Sequence, residues 1–308
     1  MRIYRGLPRA ADQPVALTIG NFDGVHRGHQ AMLARLAEAA DDLRLPAAVM
    51  TFEPHPREFF APHAAPPRLT PLRDKLEALR AFGVTRVHIA RFDAKLASLA
   101  PEAFIRDVLE QRIGVRWVLV GDDFRFGHKR TGDLATLRAH AARFSVETMH
   151  TVECDGERIS SSAVRAALLA GDVARAARLL GRPYAIAGRV GHGEKLGRKL
   201  GFPTANLPLR HVPPLSGVYA VRVGGLPGGP RDGVASLGTR PTVRAGGRPL
   251  LEAFILDFDE PIYGRRIAVE FLHKLRDEAR YPDLETLARK IGEDVAQARD
   301  WFHAANAA

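Results

Sequence analysis

The chain is poor in cysteine: one residue among 308, Cys154. That excludes an internal disulfide and any metal cluster built on several thiolates, and it fits a reducing compartment. Cys154 itself reads as a small buried apolar residue. Long apolar runs are missing too. None approaches the roughly 18 residues that a membrane-crossing helix needs, and the opening MRIYRGLPRAADQP lacks the apolar stretch of a secretory signal. The expectation is a cytoplasmic globular protein without membrane association. Internal repeats and low-complexity tracts are absent. Acidic residues are the minority, 35 against 45 Lys and Arg, giving a formal charge of +10. Such an excess suits nucleic acid, an acidic membrane surface or phosphorylated small ligands. The arginines are spread along the chain rather than gathered in a tract, so charge alone does not choose among these.

Hydrophobic residues, 46% of the chain, are ample for the cores of about two domains. In the first half, apolar runs at 15–19, 47–52, 87–90, 116–120 and 146–152 are separated by segments of helical period, such as Leu33, Leu36, Ala37 and Ala40, or Leu72, Leu76 and Leu79 behind Thr70 and Pro71 as cap and first-turn residue. This predicts a parallel sheet covered on both faces by helices, with ligands at the carboxyl ends of its strands. Two short helices, about 161–170 and 172–180, close this half. Beyond Gly181 short strands follow one another with glycine, proline and aspartate between them, which predicts an antiparallel barrel or sandwich. Leu284, Leu287, Ile291, Val295 and Ala298 then mark one terminal helix. The expected domains are 1–185 and 186–308.

The stretch TIGNFDGVHRGHQAML concentrates chemistry at the first strand end. Gly20 and Gly24 let the backbone turn sharply and approach a ligand, and a helix beginning near His26 aims free N–H groups and a positive dipole end at the same place. Phosphate suits that position. His26 and His29, three apart, fall on one face of the first turn and can donate to phosphate oxygens as charge builds in a displacement reaction. A metal-binding pair is the competing reading, and it wants a third ligand. Three more segments reach the same sheet edge: TFEPHP, VGDDFRFGHKRTGD and ISSSAVRAAL. In the last, Ser161, Ser162 and Arg165 share a face at spacings of three and four, so two hydroxyls and a guanidinium converge near a helix start.

GNFDGVHRGH is similar to the HxGH signature of the nucleotidylyltransferase superfamily. Together with TFEPHP, GDDFRFG and ISSSAVR it resembles the adenylylating half of the bifunctional bacterial riboflavin kinase/FAD synthetase family. The resemblance implies a Rossmann-like domain that joins AMP from ATP to FMN and releases pyrophosphate. It implies that His26 and His29 stabilise the triphosphate and that Gly20, Asn21, Phe22, Asp23 and Gly24 form the phosphate loop. Asp123 stands where the family carries Asn or Asp, and Ser161, Ser162 and Arg165 hold ATP phosphates. The lysine-rich late signature of the related aminoacyl-tRNA synthetases is replaced here by ISSSAVR.

In the second half, GRVGHGEKLGRKLGFPTANL sets Gly191, Gly193, Gly197 and Gly201 among Lys195, Arg198 and Lys199, which reads as a basic phosphate loop or as a plain surface hairpin. Thr204 and Asn206 follow on one side of an extended strand, with a hydroxyl and an amide oxygen suited to Mg2+. Glu252, in LLEAFIL, shares a face with Phe254 and Leu256, so its carboxylate either leaves an apolar face or points outward. GRKLGFPTANL, GVYAVRV, LGTRPT and LEAFILDFDEPIYG resemble the riboflavin kinase module in order and spacing. That resemblance implies that Gly193, Lys199, Thr204 and Asn206 serve ATP and Mg2+ and that Glu252 takes the proton of the ribityl 5′-hydroxyl. Where the family often carries histidine, this chain has Phe254. The two modules together imply an enzyme making FMN and then FAD from riboflavin and ATP, acting on small molecules without nucleic acid or membrane, as a monomer or weak homo-oligomer. The alternative is a nucleotidylyltransferase domain beside a flavin- or RNA-binding barrel that lacks kinase activity. Against RNA, the barrel strands lack a clear row of aromatics flanked by basic residues.

Overall fold

The computed structural model describes residues 1–193, 197, 200–239 and 249–307. Lys195, Arg198 and Lys199 lie outside them. The chain divides into two compact units, Met1–Pro66 with Pro71–Ser160, and Pro67–Thr70 with Ser161–Ala308.

The first unit is built on a parallel six-stranded sheet of β1 (Arg2–Arg5), β2 (Val15–Ile19), β3 (Ala47–Glu53), β4 (Arg86–Arg91), β5 (Val115–Gly121) and β6 (Ser145–Met149), in the order β1-β4-β3-β2-β5-β6. Every residue of β2 is buried, which is why VALTI carries no polar alternation. Val15, Leu17 and Ile19 join one core with Phe104, Val108 and Leu109 of a π-wound helix, Phe104–Ile113. Ala16 faces the other core, where α1 (Arg27–Asp42) supplies Leu33 and Leu36 and α3 (Leu72–Ala81) supplies Leu79. Burying one such leucine stabilises the fold by about 1.5–3 kcal/mol. Between them lies α2 (Pro56–Phe60); two short turns, α4 (Ala94–Ala97) and α5 (Pro101–Ala103), precede the π-wound helix, and α6 (Leu134–His140) precedes β6. Pro71 takes the cap position of α3 and the helix starts at Leu72, one residue later than its expected start. A two-residue hairpin, β7 (Glu153–Cys154) and β8 (Glu157–Arg158), ends the unit. Cys154 is half-exposed there, its Sγ 3.8 Å from Arg27 Nη1, rather than buried in a core.

The second unit opens with α7 (Ser161–Leu169) and α8 (Val173–Leu180). Val173, Ala176, Leu179 and Leu180 form the buried side of α8, which packs on β9 and β14. Strands β9 (Tyr184–Arg189), β10 (Thr204–Pro208), β11 (Gly217–Gly224), β12 (Arg231–Thr239), β13 (Pro249–Ile255) and β14 (Arg266–Arg276) form an antiparallel sheet ordered β10-β13-β12-β11-β14-β9. The sheet curls until its edges meet, where Gly191 N donates to Asn206 O at 2.8 Å. The terminal helix α9 (Leu284–Ala307) is capped by Asp283 Oδ1, which accepts from Thr286 N at 2.7 Å, and lays Ala298 and Phe302 on Val218, Ala220 and Val234. No helix among the described residues is long and apolar enough to cross a membrane.

Candidate functional site

The loop from β2 to α1 is held in a costly backbone shape. Phe22 and Val25 have φ of 49° and 43°, both in the left-handed region, and both side chains are fully buried, so packing maintains the strain. Gly20 makes room for this: a Cβ there would lie 3.1 Å from the Phe22 ring. His26 is the cap residue of α1 rather than its first turn. Its Nδ1 accepts from His29 N at 3.3 Å, and the two rings stack at 3.6 Å and 16°. On the far side His29 meets the Phe22 ring at 4.9 Å. Burial, with the nearby charges of His26 and Lys75, holds the His29 pKa well below its ordinary value, so this imidazole is neutral at physiological pH. His29 Nδ1 and Asn21 Oδ1 are buried without hydrogen-bond partners among the described residues. Buried polar atoms are normally satisfied, so such orphans mark where a ligand can bind.

A cavity of about 210 Å3 opens over this helix start, lined by both histidines and by Asp122, Asp123, His150 and Arg158 among others. Asp123, singled out in the sequence, is thus brought to the histidine pair, and Arg158 Nη2 donates to its Oδ2 at 2.6 Å. Arg158 carried no signal in the sequence, because it reaches the cavity on a two-residue strand. Ser161 follows directly from the cavity residue Ser160 and begins α7 in the second unit, where Ser161 is half-buried, Ser162 exposed and Arg165 buried. Arg165 Nε donates to Pro67 O at 2.7 Å. A cluster of Phe52, Phe59, Phe60 and Phe92, with rings 5.2–5.7 Å apart, lies at the carboxyl ends of β3 and β4, and Phe60 is 67% exposed. It too escaped the sequence reading.

In the barrel, Glu252 is the cross-strand partner of Asn206 on one side and of Ser236 on the other, so three polar residues form a row across β10, β13 and β12. Leu251, Ala253 and Ile255 alternate with Glu252 and are buried on the opposite face. Thr204, Ser236, Glu252, Phe254, Arg276, Glu278 and Tyr281 line a cavity of about 190 Å3. A second cavity, about 380 Å3, is lined by Val190, Pro203, Phe258, Ile262 and Tyr263, and Thr204 borders both. Asn206 Nδ2 donates to Thr204 O at 3.1 Å, while its Oδ1 is buried without a partner among the described residues. A Cβ on Gly193 would stand 2.5 Å from that oxygen, so glycine there leaves the amide its space. Arg276 is fixed by two bonds to buried Asp294, at 2.7 and 2.6 Å. Burial, aided by the charge of Glu252, raises the Glu278 pKa, while Ser236 Oγ donates to its Oε1 at 3.4 Å. Phe254 stands edge-on to Phe202 at 5.5 Å. Asp257 is paired with Arg299 on the surface. Among the described residues no three His, Cys, Asp or Glu side chains group as a metal site.

Two family models match the chain in succession, FAD synthetase over residues 9–163 and riboflavin kinase over 180–302. Bifunctional riboflavin kinase/FMN adenylyltransferases from Escherichia coli and Haemophilus influenzae are 48% and 46% identical over 308 residues, covering 98% of this chain and 98% and 100% of theirs. The Pseudomonas fluorescens relative of that name is 50% identical over 305 residues, 97% of each chain. A crystal structure described as a macrolide-efflux protein from Streptococcus pneumoniae shares the fold, with a TM-score of 0.84 at 28% identity over 98% of this chain and 100% of that one. With two matched modules in the order the strands and helices take, and relatives alike from end to end, the chain belongs to the bifunctional riboflavin kinase/FMN adenylyltransferase family.

Proposed function

We propose that the two cavities divide the family's two reactions. The chain phosphorylates riboflavin to FMN with ATP and adenylylates FMN to FAD with release of pyrophosphate. Adenylyl transfer is assigned to the His26–His29 cavity and phosphorylation to the cavity that holds Glu252, with the chemical boundary near residue 185. The observation that carries the first assignment is the stacked histidine pair, with neutral His29 keeping a buried unpartnered nitrogen over the start of a 16-residue helix. An FMN phosphate oxygen attacks the α-phosphorus, the bond to the bridging oxygen of pyrophosphate breaks, and negative charge gathers on the leaving group. Ring N–H groups and the free amides of α1 stabilise that charge without reorganising. Asp123 with Arg158, the loop from Gly20 through Asn21, Phe22 and Asp23 to Gly24, and Ser161, Ser162 and Arg165 complete the ATP contacts in this reading. The exposed phenylalanine cluster offers the flavin ring a stacking surface.

At the second site Glu252 accepts the proton of the 5′-hydroxyl as its oxygen attacks the γ-phosphorus and ADP leaves; positioning carries most of the rest. The orphaned Asn206 Oδ1 beside Thr204 fits a hard cation. These two residues would hold Mg2+, which when bound neutralises phosphate charge. Gly193 gives that amide its room, and Lys199 is assigned to phosphate on sequence grounds. The setting we assign is cytoplasmic, with small-molecule substrates, neither nucleic acid nor membrane as partner, and a monomer or weak homo-oligomer. The test incubates the purified protein with riboflavin, ATP and Mg2+ and follows FMN and FAD by chromatography. His29→Ala should lose FAD formation by about 10²–10³-fold while riboflavin still becomes FMN. Equal loss of both activities in a folded variant would overturn the two-site assignment.

A further inference from the structure

Lys75 is buried, at 5% exposure, and no other lysine among the described residues is. It belongs to the first turn of α3, its N–H bonded to Pro71 O at 3.0 Å. Lys75 and Leu79, one turn apart, are the buried residues of this helix. Leu79 packs in the cluster that contains Phe22 and Val25, and Leu72 and Leu76 pack against that same cluster. Phe22 in turn lies against the His29 ring. A lysine therefore takes a place where an apolar residue would pack, behind the loop that shapes the phosphate site. Burying an ammonium group costs several kcal/mol even after relaxation, and a fold keeps one where its charge is used. This charge reaches the site: Lys75 and His26 are the charged neighbours that act with burial on His29.

We propose that Lys75 is a positioning residue of the adenylylation site, a fixed cation behind the glycine loop whose field draws the nucleotide's phosphates onto the start of α1 and keeps His29 a neutral donor. This rests on the assignment of adenylyl transfer to that site. Triphosphate binding brings negative charge beside His29 and, unopposed, would protonate it. The other titratable groups about His29 are His26 at its own helix end and Asp122, Asp123, His150 and Arg158, which line the same cavity; Asp23 is buried in the loop. After burial, His26 and then Lys75 are the charges that keep the imidazole neutral.

The experiment compares Lys75→Met and Lys75→Arg in the full chain. FAD formation from FMN and ATP is measured from pH 5.5 to 9, riboflavin phosphorylation is measured on the same preparation, and the His29 ring is titrated by NMR on 13C-labelled histidine assigned with His29→Ala. In Lys75→Met, kcat/KM for ATP in FAD formation should fall about 10²-fold, the acid limb of the pH profile and the His29 titration should both move up by about one pH unit, and riboflavin phosphorylation should be unchanged. Lys75→Arg should recover FAD formation to within about tenfold and return the His29 titration. An unchanged titration and pH profile in Lys75→Met, or equal losses in the two variants, would overturn the proposal. Should the methionine variant lose kinase activity as well, the arginine variant decides: retained titration and FAD formation support the charge, and their loss reduces Lys75 to packing. Failure of the wild-type protein to make FAD would count against the adenylyl assignment instead, and the titration readout does not depend on it.

Discussion

His88 should make the first unit sensitive to acid. It lies on β4 opposite Tyr4 of β1, its ring stacked on the tyrosine at 4.7 Å and 14°, 2% exposed, with neither ring nitrogen hydrogen-bonded among the described residues. Burial first and the charge of buried Arg86 second lower its pKa from the ordinary 6.5 to about 4, against an opposing pull from the Asp12 carboxylate. In the unfolded chain His88 takes up a proton as pH falls through 6.5, whereas the folded chain refuses it until about 4. Its contribution to stability is therefore complete above pH 6.5 and lost as pH falls toward 4. At about 1.4 kcal/mol per pH unit the loss is roughly 3 kcal/mol over the window, and about 2.5 kcal/mol at pH 4.5. The perturbation is His88→Phe, which keeps a ring for Tyr4 but cannot be protonated. Urea unfolding at pH 7.5 and 4.5 is followed by Trp117 fluorescence in a Trp301→Phe background, since these are the two tryptophans and only Trp117 belongs to the first unit. Carboxylates will cost both proteins stability in acid. The wild type should lose about 2.5 kcal/mol more than His88→Phe between the two pH values. Equal losses would refute the reasoning.

Two further outcomes are expected from the second unit. Glu252→Gln keeps the size of the side chain but cannot accept a proton, so riboflavin phosphorylation should slow by roughly 10²–10⁴-fold with little change in riboflavin affinity by flavin fluorescence; near-normal turnover would remove Glu252 from the mechanism. Because the apolar side of α8 covers β9 and β14, a fragment Ser161–Ala308 should be soluble and phosphorylate riboflavin alone. One starting at Arg182 should aggregate on heating at a lower temperature, and equal melting curves for the two fragments would contradict that packing.

The buried strands were legible because β2, β3 and β5 are covered by helices, which leaves mostly apolar runs without a regular polar alternation. The edge strand β1, RIYR, is short and charged, and its tie to the sheet is a parallel pairing with β4, Arg2 opposite Arg86, distant in the chain. The histidines, Thr204 and Asn206 could be chosen because turns and strand alternation are local, whereas Asp123 and the role of Glu252 came with the family resemblance. Lys75, Arg158 and Glu278 could not, since each acquires its meaning from burial or from a partner far along the chain. Lys75 stands between Leu72, Leu76 and Leu79 with no signal of its own, and its burial comes from how α3 packs. Cys154 erred in the opposite direction: its apolar character suggested a core position, but the two-residue hairpin that carries it has no core to enter. The helix α1 starts at Arg27, one residue after His26, because His26 has extended backbone and caps it, its ring accepting from His29 N and its carbonyl from Gln30 N.

The seam of the barrel carries one more consequence. Asn206 receives the closing bond from Gly191 on its carbonyl and presents its unpartnered amide oxygen from the same residue. If Asn206 holds Mg2+ as proposed, backbone closure and side-chain ligation are mechanically in series: whatever pulls on the amide oxygen pulls on the strand that shuts the cylinder. Substrate occupancy and the integrity of the seam then form a single thermodynamic cycle. The empty barrel should breathe along this line before any other, and the loaded one should resist opening by as much as ligand binding would gain from that oxygen.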